Sequence, residues 1–121
     1  MVIFLDTYTI VAIDTNHPGY RKYVLDADVA TTIFNLFETY FVYLKKFGKK
    51  EADEIYEIVR GMVVPIDDFI IKEAMEFKLA NLKKRFSFAD CIGYVTALKL
   101  NAKFVTGDYA FKELENVEFV K

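Results

Sequence analysis

Two short apolar runs, each closed by an aspartate, constrain this chain most. Val2-Ile3-Phe4-Leu5 is continuous and apolar, and Asp6 follows it at once. Lys103-Phe104-Val105-Thr106 is a second such run, with Asp108 two residues past its end. A short apolar run without polar alternation reads as a strand buried on both faces, the habit of parallel sheets covered by helices. Just upstream of the second run, Ser87-Phe88-Ala89-Asp90 opens a helix, with Ser87 as the cap and Asp90 in the first turn. Right-handed crossovers bring all the carboxyl strand edges of such a sheet to one side. Asp6, Asp90 and Asp108 are therefore expected to share one edge, where open α/β sheets bind their ligands.

The rest of the chain alternates in the same way. Asp6 to Asp14 reads as a helix, Asn16-His17-Pro18-Gly19 as a turn, Tyr20 to Leu25 as a short helix and Asp26-Ala27-Asp28 as a polar break. Val29 to Ile33 is β-branched and apolar and reads as a second strand. Asn35 to Phe47 is helical, with Phe34, Phe37, Phe41 and Leu44 on one face and Leu36, Tyr40, Tyr43 and Phe47 on the next. That apolar arc is wider than a one-sided surface helix needs, and Glu38 stands at its rim, where an acid can point into a cleft. Lys49 to Arg60 is a further helix, and Met62 to Pro65 a third strand, at a sheet edge because Pro65 has no N–H to donate. Asp67 caps a long helix through about Leu82, Lys83-Lys84-Arg85 is a basic loop, and Ser87 to Leu100 is the helix carrying Asp90. Residues 103–106, a short helix from Tyr109 to Leu114, and a strand from Val117 to Val120 complete the pattern. The expected fold is α/β: a single domain over residues 1–121, with a central parallel five-stranded sheet and helices on both faces.

Composition bounds the function. At 121 residues with 54% hydrophobic and 17% aromatic side chains, the chain is one globular domain and not a disordered one. The apolar share is high for so small a domain, so part of the surface is expected to be covered by another chain. A net charge of -2 gives no global attraction to nucleic acid, and any basic footprint is local. Cys91 is the one cysteine and His17 the one histidine, so neither a disulfide framework nor a Ser/His/Asp or Cys/His nucleophile is expected. No run approaches the ~20 apolar residues of a membrane span, and Asp6 interrupts the N-terminal run too early for a signal peptide. The protein is expected in the cytoplasm. Clustered carboxylates repel one another unless protons or a cation join them, and an oxygen-only site suits Mg²⁺ or Mn²⁺. A phosphoacceptor receiver domain would also carry such a site, but it needs an acidic pair after strand one and a lysine after strand five. Here Asp6 is single and the last strand ends the chain.

Four blocks together resemble the PIN domain family, and in particular its small VapC-type toxins. They are the apolar strand ending in Asp6-Thr7, the stretch from Thr32 to Glu38, Ser87-Phe88-Ala89-Asp90 with its small-residue helix to Ala97, and Thr106-Gly107-Asp108-Tyr109-Ala110-Phe111. The last is similar to the family's Thr-x-Asp-x-x-Phe pattern. The sequence departs from the family at Tyr8, where many relatives carry Asn or Ser. The resemblance implies a Mg²⁺- or Mn²⁺-dependent endoribonuclease that leaves a 5′ phosphate, acts as the toxin of a VapBC-type toxin–antitoxin pair, binds a cognate antitoxin protein and forms a homodimer. It implies Asp6 and Asp90 as principal metal ligands, Asp108 as a ligand directly or through water, and Glu38 as the group that holds a water or acts as base. Thr7 and Thr106 would orient the carboxylates, and Lys83, Lys84 and Arg85 are candidate contacts to RNA phosphates. Tyr8, Tyr40 and Tyr43 are read as core or interface packing rather than as base-stacking groups. A PIN nuclease of RNA maturation or decay, or a catalytically silent PIN binding module, are the alternatives.

Overall fold

The computed structural model of the chain describes residues 2–25 and 28–121. Strand β1 (Ile3–Leu5) leads into helix α1 (Thr7–Asp14), and strand β2 (Val29–Ala30) into the long helix α2 (Ile33–Lys46). Helices α3 (Lys49–Arg60), α4 (Asp68–Ala80) and α5 (Phe88–Lys99) follow, then strands β3 (Lys103–Thr106) and β4 (Val117–Phe119). The strands form one parallel sheet in the order β2-β1-β3-β4. The two apolar runs that led the sequence argument are its central pair, with Leu5 opposite Val105.

Strand geometry sends alternate side chains to opposite faces. Phe4 and Phe104 stack at 5.6 Å on one face and pack with Cys91, Ile92 and Val95 of α5 and Ala74 of α4. Leu5 and Val105 point the other way, into a second core with Ile10 of α1, Leu36 and Tyr43 of α2, and Ile55 and Val59 of α3. The sheet is thus covered on both faces. α5 lies close on it because Gly93 presents no side chain: a Cβ there would stand 3.0 Å from the Phe4 ring.

The five-stranded expectation is corrected to four strands. Met62 to Pro65 makes no strand; it contributes one parallel bridge, Thr31 to Val63, held by Thr31 N–H to Met62 O at 3.0 Å and Val64 N–H to Thr31 O at 2.9 Å. Pro65 has no N–H to carry that pairing on. The expected second strand, Val29 to Ile33, stops at Ala30 because Thr32 becomes the N-cap of α2. Asp26 and Ala27 of the expected polar break lie outside the described residues. Tyr20 to Leu25 is not a helix: the chain makes a 3₁₀ turn at Pro18–Tyr20, and the Tyr20 hydroxyl donates to Val120 O at 2.9 Å, which ties the turn to the chain end. α4 stops at Ala80, before a 3₁₀ turn (Leu82–Lys84) and Arg85 at φ +58°. Tyr109–Phe111 is a 3₁₀ turn where a helix to Leu114 was expected. No helix among the described residues is long and apolar enough to cross a membrane.

Candidate functional site

Asp6 ends β1 and caps α1. Its Oδ1 accepts from Thr9 N–H at 2.8 Å, satisfying a donor that a helix start leaves without a partner. Its Oδ2 accepts from the Thr106 hydroxyl at 2.6 Å, across the sheet from the end of β3. The residue is only 7% exposed. Burial pushes its carboxyl above the ordinary aspartate value, against the pull of the hydrogen bonds from Thr106 and Thr9, and the charge of Asp90 adds to the rise. Among the described residues no lysine or arginine pairs with it.

Thr106 is a junction. While its hydroxyl donates to Asp6, its Oγ1 accepts from Asp108 N–H at 3.1 Å. Asp108 in turn caps the following 3₁₀ turn, its Oδ1 accepting from Ala110 N–H at 2.9 Å. Asp90 stands in the first turn of α5 within a reciprocal capping box: Ser87 N–H donates to its Oδ2 and Asp90 N–H to Ser87 Oγ, both at 3.0 Å.

Glu38 enters from α2. The Thr7 hydroxyl donates to Glu38 Oε1 at 2.7 Å, so the residue after Asp6 holds the fourth acid. Asn35 Nδ2 donates to Thr7 Oγ1 at 3.2 Å, and Asn35 Oδ1 accepts from the Thr32 hydroxyl at 2.7 Å. Sequence reasoning missed Asn35; its signal was the Thr32-x-x-Asn35 spacing of a capping box. Bonding therefore links Asp6, Thr106 and Asp108 in one group and Glu38, Thr7 and Asn35 in another, joined through the Asp6-Thr7 peptide. Asp90 couples to the first group by charge. Lys83, Lys84 and Arg85 are exposed and take no part in these bonds. Among the described residues no three acids, histidines or cysteines are drawn together as a ready-made set of metal ligands.

The model of the PIN domain family matches residues 3–117, nearly the whole chain. This chain belongs to the PIN domain family. Solved structures share its form from end to end. A toxin–antitoxin complex from Klebsiella pneumoniae superposes with a TM-score of 0.75 at 12% identity, covering 96% of this chain and 95% of the other. The Mycobacterium tuberculosis toxin VapC20, which cleaves the sarcin-ricin loop, gives 0.73 at 19%, covering 95% and 98%. VapBC2 from Rickettsia felis, bound to a DNA fragment from its promoter, gives 0.71 at 21%, covering all of both chains. At these identities the likeness is one of fold. A search of the curated proteins finds no match. In this PIN domain the four acids that carried the sequence resemblance stand just past β1, in α2, in α5 and two residues past β3.

Proposed function

We propose that this PIN domain is a Mg²⁺- or Mn²⁺-dependent endoribonuclease and the toxin of a toxin–antitoxin pair. The observation that carries it is Asp6, a buried carboxylate with no basic partner among the described residues, raised in pKa by burial and by a second carboxylate. A divalent cation relieves both penalties at once. The donors are all oxygen, as Mg²⁺ and Mn²⁺ prefer, so the residues fit the ion. Asp6 and Asp90 would hold it, with Asp108 completing the set directly or through water. When bound, it neutralises charge growing on a phosphodiester and acidifies a water molecule. Glu38, half-buried and hydrogen-bonded by Thr7, would orient a water or take its proton. Thr106 holds Asp6 and the Asp108 backbone in one arrangement, and so keeps two ligands in register.

The toxin role and a cognate antitoxin rest on the fold shared with toxins seen in toxin–antitoxin assemblies. A homodimer is proposed from the apolar side chains that α2 leaves exposed, Phe37 and Phe41 among them. The test is cleavage of labelled single-stranded RNA in Mg²⁺, in Mn²⁺ and in EDTA, beside Asp90→Asn. Asparagine can still accept the Ser87 N–H, so the capping box survives while the charge is lost. Cleavage that needs metal and disappears in the variant is expected; cleavage that persists in the variant would overturn the assignment.

A further inference from the structure

Tyr8, read from the sequence as core or interface packing, is not in the core: 57% of it is exposed. It follows Asp6 by two residues, so its ring rises from the acid-bearing edge of the sheet. The ring is held on its inner side. The Tyr20 ring meets it edge-on, with centroids 6.3 Å apart. Gly107, between Thr106 and Asp108, lies under it so closely that a Cβ there would stand 3.0 Å from Tyr8 Cε1 and 2.9 Å from the Tyr20 hydroxyl. The missing side chain at Gly107 is thus what lets the Tyr8 ring lie against the backbone between Thr106 and Asp108. On its other side Tyr8 forms a wall of a cavity of about 380 Å³ between α1 and α2, lined also by Thr7, Val11, Val42, His17 and Lys46. An apolar-walled space of this size accepts a planar base, and Lys46 supplies a cation for a phosphate. A second exposed ring, Tyr109, follows Asp108 on the neighbouring strand end, with Lys112 Nζ 5.8 Å from its centroid.

We infer that Tyr8 is a stacking platform, a substrate-positioning residue that seats one unpaired base of the RNA on its ring beside the acids. An exposed aromatic ring already packed on one side loses little entropy on stacking, and stacking tolerates any base. Duplex RNA keeps its bases stacked on each other and offers none to the ring. The inference rests on the nuclease reading and adds to it a residue that positions the substrate.

The chain contains no tryptophan, so Tyr8→Trp places a lone indole reporter on the platform. In an Asp90→Asn background with Mg²⁺, to prevent turnover, an eight-nucleotide mixed-sequence RNA is titrated by fluorescence and by anisotropy of the labelled RNA. Saturable quenching of the introduced indole by the single strand and not by a duplex is expected. Tyr8→Phe should bind like the parent, and Tyr8→Ala about five- to 150-fold more weakly. Tyr8→Leu keeps apolar packing against Gly107 without a π face and should also bind weakly, which separates stacking from a folding defect. Binding with no quenching of the indole, equal affinity for Tyr8→Ala, equal affinity for duplex, or no binding by any form would each overturn the inference. Loss of metal-dependent cleavage on Asp90→Asn alone, read in the same preparations, decides the nuclease reading separately.

Discussion

At the scale of single residues the chain concentrates its costs on Asp6. A carboxyl whose folded pKa lies above its unfolded value favours the folded state most when protonated. Its penalty grows as pH rises from the ordinary value of 3.8 through the raised one, and is complete above it. Metal-free protein at pH 7 carries more of that penalty than at pH 3. Asp6→Asn should therefore raise the melting temperature of the metal-free protein at neutral pH, by about 4 °C for each kcal/mol of relieved charge burial. The gain should vanish toward pH 3 and be absent in saturating Mn²⁺, which stabilises only the wild type. Melting curves across pH, with and without Mn²⁺, check this; a destabilised variant at pH 7 without metal would contradict it. Thr106 is the counterpart. Thr106→Val removes the donor to a buried carboxylate and should cost about 1–3 kcal/mol in urea unfolding, along with most cleavage. Cys91 is chemically quiet for a related reason: burial pushes its thiol up to about 11. Thiol reagents at pH 8 should label it only after denaturant is added.

At the scale of elements, what the sequence told and withheld follows the range of the forces involved. β1 and β3 were legible because a run of apolar residues ended by Asp or Thr-Gly-Asp leaves few options. α3 was legible to the residue because Ala52, Ile55 and Val59 repeat at helical spacing between Gly48 and Gly61. The stretch Val29 to Ile33 reads as one strand because its β-branched residues suit a sheet. Thr32 instead spends its side chain on Asn35 and starts a helix, a local bond that competes with the ladder. The acids were found because they end strands or open helices. Thr7, which holds Glu38, was named as well, but Asn35 behind it was not, since Asn35 and Thr7 are 28 residues apart and meet only once α2 packs on α1. This assigns Thr32→Ala two effects. The cap loss costs about 1 kcal/mol, and the freed Asn35 no longer fixes Thr7 and Glu38. Activity should fall further than stability explains, and Thr32→Ser should restore both; a Thr32→Ala protein that is less stable yet fully active would sever α2's cap from the site.

At the scale of the whole molecule, the unsettled surface is the outer side of α2. Its inner side is committed, with Thr39 buried and Leu36 and Tyr43 packed in one core with residues of α1 and α3. Its outer side carries Ile33, Phe37, Phe41 and Leu44 at three- and four-residue spacing, and Phe37 and Phe41 are 56% and 61% exposed. Exposed rings in one stripe are costly to leave in water, whereas scattered ones are ordinary. Because these side chains touch little of their own fold, charging one should leave the monomer's stability within about 0.5 kcal/mol. Association should respond far more, since a buried unpaired charge at the centre of an interface costs several kcal/mol. Phe41→Glu is therefore expected to keep the wild-type urea midpoint while moving the purified protein from dimer to monomer mass in light scattering at micromolar concentration. A wild type that is already monomeric there would remove the homodimer from the proposal. A Phe41→Glu protein that stays dimeric would move the interface to another face, such as α4, where Phe69 and Leu79 are exposed as well. RNA cleavage separates the two scales further: every acid and both threonines of the site come from one chain, so a monomeric Phe41→Glu variant should still cut.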